Sequence, residues 1–190
     1  MRGWTVIAAI TLILGGQSAV AQPRLGLAPA LGVAVAPRLD FSPEELALAE
    51  AAAGLPELAA YYGANGLRPI FTGENAVKLR SALVDATATA PQHGIPASRY
   101  ALDARPADAA DARSEVAQAR VLVRYMRDMT GGMIRPGSVD PLIKREVKRP
   151  PIDRLIRDFV QSPDPRQFLL DLQPRHPAYL ALQRALTGGQ

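Results

Sequence analysis

The chain has 190 residues, of which 48% are hydrophobic, with 22 Lys and Arg against 18 Asp and Glu, two His, no Cys and a formal net charge of +4. A chain of this length fits one domain that buries a stable core without covalent or metal staples. The lack of Cys excludes disulfides, thiolate metal sites and a thiol nucleophile, and the mild positive excess falls short of the clustered basic face that nucleic-acid binding requires.

At the N-terminus Arg2 precedes an apolar run from Val6 to Leu14, Gly15 and Gly16 follow, and Ala19-Val20-Ala21 places small residues before Gln22. This is the layout of a cleavable signal peptide over residues 1–21, and it implies export to the periplasm. The run is too short for a stable membrane span, which needs roughly 20 apolar residues. Residues 22–40 are rich in Pro, Ala and Gly without a clean period and read as a flexible linker, with a short edge strand from Leu31 to Val35 as the alternative.

Regular structure is expected from Phe41. Ser42 suits a helix cap, Pro43 the first helical position, and Glu45 stands where it closes a capping box. Gly54-Leu55-Pro56 breaks that helix before a second one through Tyr62, with Gly63 and Gly66 as its stop signals. Leu67 to Thr72 is short and marked by Pro69, and reads as an extended joint pinned to the core by its apolar side chains. From Glu74 to about Thr89 the positions Leu79, Leu83, Ala86 and Ala90 give an amphipathic period, which Val77 and Val84 widen. His93-Gly94-Ile95-Pro96 makes a turn and Ala97 to Tyr100 a further helical turn.

The longest predicted helix runs from about Ala109 to Met129, with Val116, Ala119, Leu122, Val123, Met126 and Met129 on one face, Arg113, Arg120, Arg124 and Arg127 off it, and Gly131-Gly132 as its cap. It is the expected central core helix, and Val123→Asp is expected to unfold the domain. Met133 to Pro141 reads as a loop. Leu142 to Pro151 carries Lys144, Arg145, Lys148 and Arg149 and reads as a solvated basic stretch, with contact to an envelope polymer as the alternative. Helices follow at Ile152 to Phe159, around Phe168 to Leu172, and through Tyr179, Leu182 and Leu186. The fold class is therefore mainly α, a multi-helix domain with short extended joints over residues 41–187.

No catalytic, cofactor-binding or metal-binding residue emerges from these patterns. His93 and His176 lie far apart beside turn residues, without the ligand spacing that zinc needs. Ser42, Ser81, Ser98, Ser114, Ser138 and Ser162 sit in neither a G-x-S-x-G nor an S-x-x-K context. The paired acids Glu44 and Glu45 fall in the first turn of a helix, where the macrodipole accounts for them. Phosphate-cradling glycine motifs are lacking.

Five segments in one order carry a resemblance: Leu67 to Thr72, His93 to Tyr100, Tyr125 to Gly132, Arg135 to Pro141, and Pro174 to Tyr179. Together they resemble the scaffold domain of the large murein L,D-transpeptidases, over approximately Phe41 to Leu186. The resemblance implies a mainly helical region that supports a peptidoglycan-binding domain and a catalytic domain, whose cysteine forms 3-3 cross-links. That chemistry needs a thiolate, and this chain has none. The expectation is thus a non-catalytic periplasmic scaffold module, without cofactors, whose partner is peptidoglycan or a separately encoded catalytic domain. A helical wall-cleaving glycosidase using paired carboxylates and a periplasmic interaction domain with no wall role remain as alternatives.

Overall fold

A computed structural model describes residues 40–101, 111–134, 136–143 and 148–188. The leader at 1–21, the linker up to Leu39, the edge strand proposed at 31–35, the first residues of the long helix before Asp111, Arg135 in the loop after it, and Lys144 and Arg145 of the basic stretch lie outside them.

Local chemistry sets the first helix, α1 (Pro43–Ala52): Ser42 accepts from the Glu45 amide at 3.2 Å, and the Glu45 carboxylate accepts from the Ser42 amide at 2.8 Å. The capping box expected there is formed, and Leu48 and Ala52 turn inward. Helix α2 (Pro56–Ala64) starts at its own proline and buries Leu58, Tyr61 and Tyr62. It runs through Gly63 and not up to it. The helix ends at Ala64, and two residues beyond it Gly66 at φ +63° and Leu67 at φ +55° adopt left-handed backbone in succession. For leucine that conformation costs about 1–2 kcal/mol, so the surrounding contacts must hold it. Leu67 packs against the core, and its amide donates to the Tyr62 carbonyl at 2.8 Å.

Helix α3 (Ala76–Ala88) is two residues later at its start than the sequence suggested, and its buried stripe is Ala76, Leu79, Ala82, Leu83 and Ala86. Val77 and Val84 do not widen it, since they are 76% and 59% exposed. At 100° per residue they point away from the Leu79–Leu83 line, and small alanines fill the face instead. Two 3-10 turns follow, Ala90–His93 and Ala97–Tyr100.

Helix α4 (Ala112–Gly131) is the central element. Asp111 caps it by accepting from the Ser114 amide at 2.6 Å, and Gly132 ends it at φ +74°. Its inner faces bury Val116, Ala119, Val121, Leu122, Val123, Tyr125, Met126 and Met129, and α1, α6 and the second 3-10 turn pack on it. The stretch after Gly132 is not entirely loop, because Pro136–Val139 form one helical turn, α5. Helix α6 (Ile152–Gln161) contributes Ile152, Leu155, Ile156 and Phe159 to the core. Helix α7 (Pro165–Asp171), capped by Asp164, lies along α3. Phe159 joins α6 to the Leu67–Thr72 joint and to α7, with its ring 6.5 Å from Phe71 and 6.4 Å from Phe168.

The last helix, α8 (Pro177–Gly188), departs from expectation. None of its residues is buried, and Leu182 is 71% exposed. It touches mainly the first 3-10 turn, so its apolar positions do not form a core stripe. Among the described residues there is no strand, and the domain is all-helical.

Candidate functional site

Two acids of α4 organise the joints that precede it. Glu115 is 1% exposed. Its carboxylate accepts from the amides of Ile70 (2.6 Å), Phe71 (2.8 Å) and Thr72 (2.8 Å), from the Thr72 hydroxyl (3.1 Å) and from the Tyr62 hydroxyl (2.6 Å). Five donors meet one buried charge, which offsets the several kcal/mol that desolvating a carboxylate costs. The joint from Leu67 to Thr72 has no strand partner for its amides, and Glu115 supplies the acceptors a sheet would have given. Burial and the neighbouring Glu115 charge together push the Tyr62 phenol far above its ordinary range.

Asp128 plays the corresponding role at the other end of α4. Arg99 grips it through Nε at 2.6 Å and Nη2 at 2.9 Å, and the Tyr100 hydroxyl donates to it at 2.8 Å. A carboxylate in the last turn of a helix opposes the dipole, and the bidentate guanidinium compensates it. The same hydrogen bond is the main reason the Arg99 pKa rises.

Around Asp128 opens a cleft of about 260 Å³ between the start of α2 and the middle of α4, whose lining includes Leu55, Leu58, Arg99, Arg120, Arg124 and Arg127. Arg127 pairs with Glu57, and the Arg124 guanidinium donates to the carbonyl of Arg99 at 2.6 Å. The sequence placed Arg120, Arg124 and Arg127 off the core face of α4, and so they are. What it did not reveal is that Arg99 and Glu57 converge on the same place.

The histidines are not brought together. His93 lies beneath α8, where its Nδ1 is hydrogen-bonded to the Tyr179 hydroxyl at 2.6 Å with the rings stacked 5.9 Å apart, while His176 Nδ1 accepts from the Ala178 amide at 3.2 Å. His93 Nε2 is buried and finds no hydrogen-bond partner among the described residues. Its burial pushes the imidazole pKa down, against a smaller opposing effect of Gln173. No group of three or more His, Asp or Glu among the described residues is arranged to hold a metal ion. Of the serines, Ser42 caps α1, and buried Ser114 accepts weakly from the Gln118 amide at 3.4 Å. Lys148 and Arg149 of the basic stretch are exposed, and Arg149 donates to the Gly131 carbonyl at 3.3 Å.

Both buried acids of this helical body are thus spent on its own joints. In comparison with known families, the family model described as "Scaffold domain" matches residues 56–186, and the chain belongs to that family. No curated protein and no solved structure matches the chain. Among the described residues no helix is long and apolar enough to cross a membrane.

Proposed function

We propose that this chain is a non-catalytic periplasmic scaffold module of peptidoglycan assembly, which holds a catalytic partner or the wall polymer in position while chemistry occurs elsewhere. The observation that carries this reading is the membership of residues 56–186 in the scaffold-domain family, joined to the ordered motifs that resemble the murein L,D-transpeptidases. The chemistry of the chain is consistent with it, since a route through a cysteine thiolate has no cysteine to use.

The disposition of the acids supports the same side. A wall-cleaving glycosidase needs one carboxylic acid free to protonate a leaving oxygen and a second free to activate water or attack. Glu115 and Asp128, the two buried carboxylates of α4, are instead saturated by amides, phenols and a guanidinium.

The test uses the purified chain. Retention on isolated sacculi, with no change in the muropeptide profile after prolonged incubation, is the expected pair of results. Release of muropeptides or new cross-links would overturn the non-catalytic reading, and loss of the protein in the wash together with no capture of a wall enzyme would overturn the wall role.

A further inference from the structure

The cleft beside α4 carries more positive charge than it neutralises. Arg99, Arg120, Arg124 and Arg127 face Glu57 and Asp128 there, four guanidinium groups against two carboxylates, a surplus of two positive charges. Both carboxylates are already engaged, Asp128 by Arg99 and Glu57 by Arg127. Arg124 donates to a neutral carbonyl, the Arg99 oxygen, which orients its guanidinium without cancelling its charge. Arg120 is exposed and makes no hydrogen bond or ion pair among the described residues.

Arg120, Arg124 and Arg127 stand at i, i+4 and i+7 on one face of α4, where like charges repel one another and destabilise the helix. An anion seated between them reverses that sign. Beneath the guanidiniums the cleft is apolar, with Leu58 and Val123 buried and Leu55 half-buried. Planar charged forks above an alkyl floor define a ligand that carries a carboxylate next to a small apolar group, because the guanidinium fork matches a carboxylate with two parallel hydrogen bonds. A volume of about 260 Å³ is small for a ligand pocket and admits a short fragment only.

We propose that this cleft binds the free C-terminal carboxylate of a peptide ending in small residues, with Arg120 and Arg124 on the carboxylate and the terminal methyl against Leu55, Leu58 and Val123. The inference stands on the charge balance of the cleft and does not depend on the wall role.

Titration calorimetry of the full chain with N-acetyl-alanyl-alanine tests it, alongside the C-terminal amide of the same peptide and inorganic phosphate. The free acid is expected to bind in the millimolar range or tighter, and the amide at least tenfold more weakly. Arg120→Gln is expected to weaken binding about tenfold with an unchanged melting temperature, since that side chain makes no hydrogen bond or ion pair among the described residues. Arg124→Gln removes a contact to the Arg99 carbonyl as well, so its melting temperature is read beside its affinity. Lys78→Gln, which removes a cation bonded to the Pro163 carbonyl outside the cleft, is expected to leave binding unchanged. The proposal is overturned by any of four results: no heat with the free acid, equal affinity for acid and amide, phosphate binding as tightly as the peptide, or an Arg120→Gln protein that binds as well as the parent.

Discussion

Tyr62 donates its hydroxyl to Glu115 at 2.6 Å across 53 residues of chain, and both groups are buried. The same carboxylate holds the amides of Ile70, Phe71 and Thr72, so one side chain of α4 fixes both the end of α2 and the joint that follows. Glu115→Gln keeps the shape but replaces one acceptor oxygen with an NH₂ that faces amide donors. The expected loss is about 3 kcal/mol in denaturant unfolding. Tyr62→Phe, which removes a single donor, is expected to lose only about 1–2 kcal/mol.

Acid is expected to loosen the contact between α8 and the first 3-10 turn. In the unfolded chain the His93 imidazole titrates near its ordinary value of 6.5, whereas burial lowers it in the fold. The native state then binds fewer protons than the unfolded state below that pH. Stability from this site is complete above pH about 6.5 and declines as pH falls toward the depressed value. Melting curves between pH 7.5 and 5 check this, and His93→Gln is expected to flatten the dependence. An unchanged slope in the variant contradicts the assignment to His93.

The residue after α4 must be glycine. Gly132 sits at φ +74° and ψ 158° with open space where a side chain would stand, so the obstacle to substitution is backbone conformation alone. Gly132→Ala is expected to destabilise by about 1–3 kcal/mol. Gly54, equally uncrowded and without a positive φ, is expected to accept alanine at little or no cost. Parallel urea titrations of the two variants make the comparison.

Position along α4 decides how an inserted charge is tolerated. Leu122 is completely buried, and Leu122→Asp is expected to cost more than about 4 kcal/mol and abolish the cooperative melt. The sequence pattern assigned the same outcome to Val123. The structure sets Val123 in the wall of the arginine cleft, where guanidiniums stand ready to pair with a new carboxylate. Val123→Asp is therefore expected to leave a folded domain with a lowered melting temperature.

Helix boundaries were legible where their signals are local: Ser42 with Glu45 at the start of α1 and Gly132 at the end of α4 each act within a few residues. The two acid hubs were not foreseen, although a trace of them was present. Glu115 stands at i−4 and i−7 from Ala119 and Leu122, and Asp128 at i+3 from Tyr125, so both acids occupy inward-facing lines of the helix. Reading an acid there as buried requires knowing which donors arrive, and these come from residues 62–72 and 99–100, far away in the chain. The cleft was hidden for the same reason, because Glu57 and Arg99 join the α4 arginines only in three dimensions. The last helix misled in the opposite direction. Tyr179, Leu182 and Leu186 have core-like spacing, yet periodicity reports only that a face is apolar and not that anything covers it.

The dependence of the Leu67–Thr72 joint on one carboxylate bears on how the domain comes apart. Glu115 reaches its amides across 43 to 45 residues, so releasing the N-terminal helices strands an anion in a greasy interior at the same moment. Partial melting of that end is thereby penalised, and the end of α2, the joint and the start of α4 are expected to open together when the molecule yields to heat or protease.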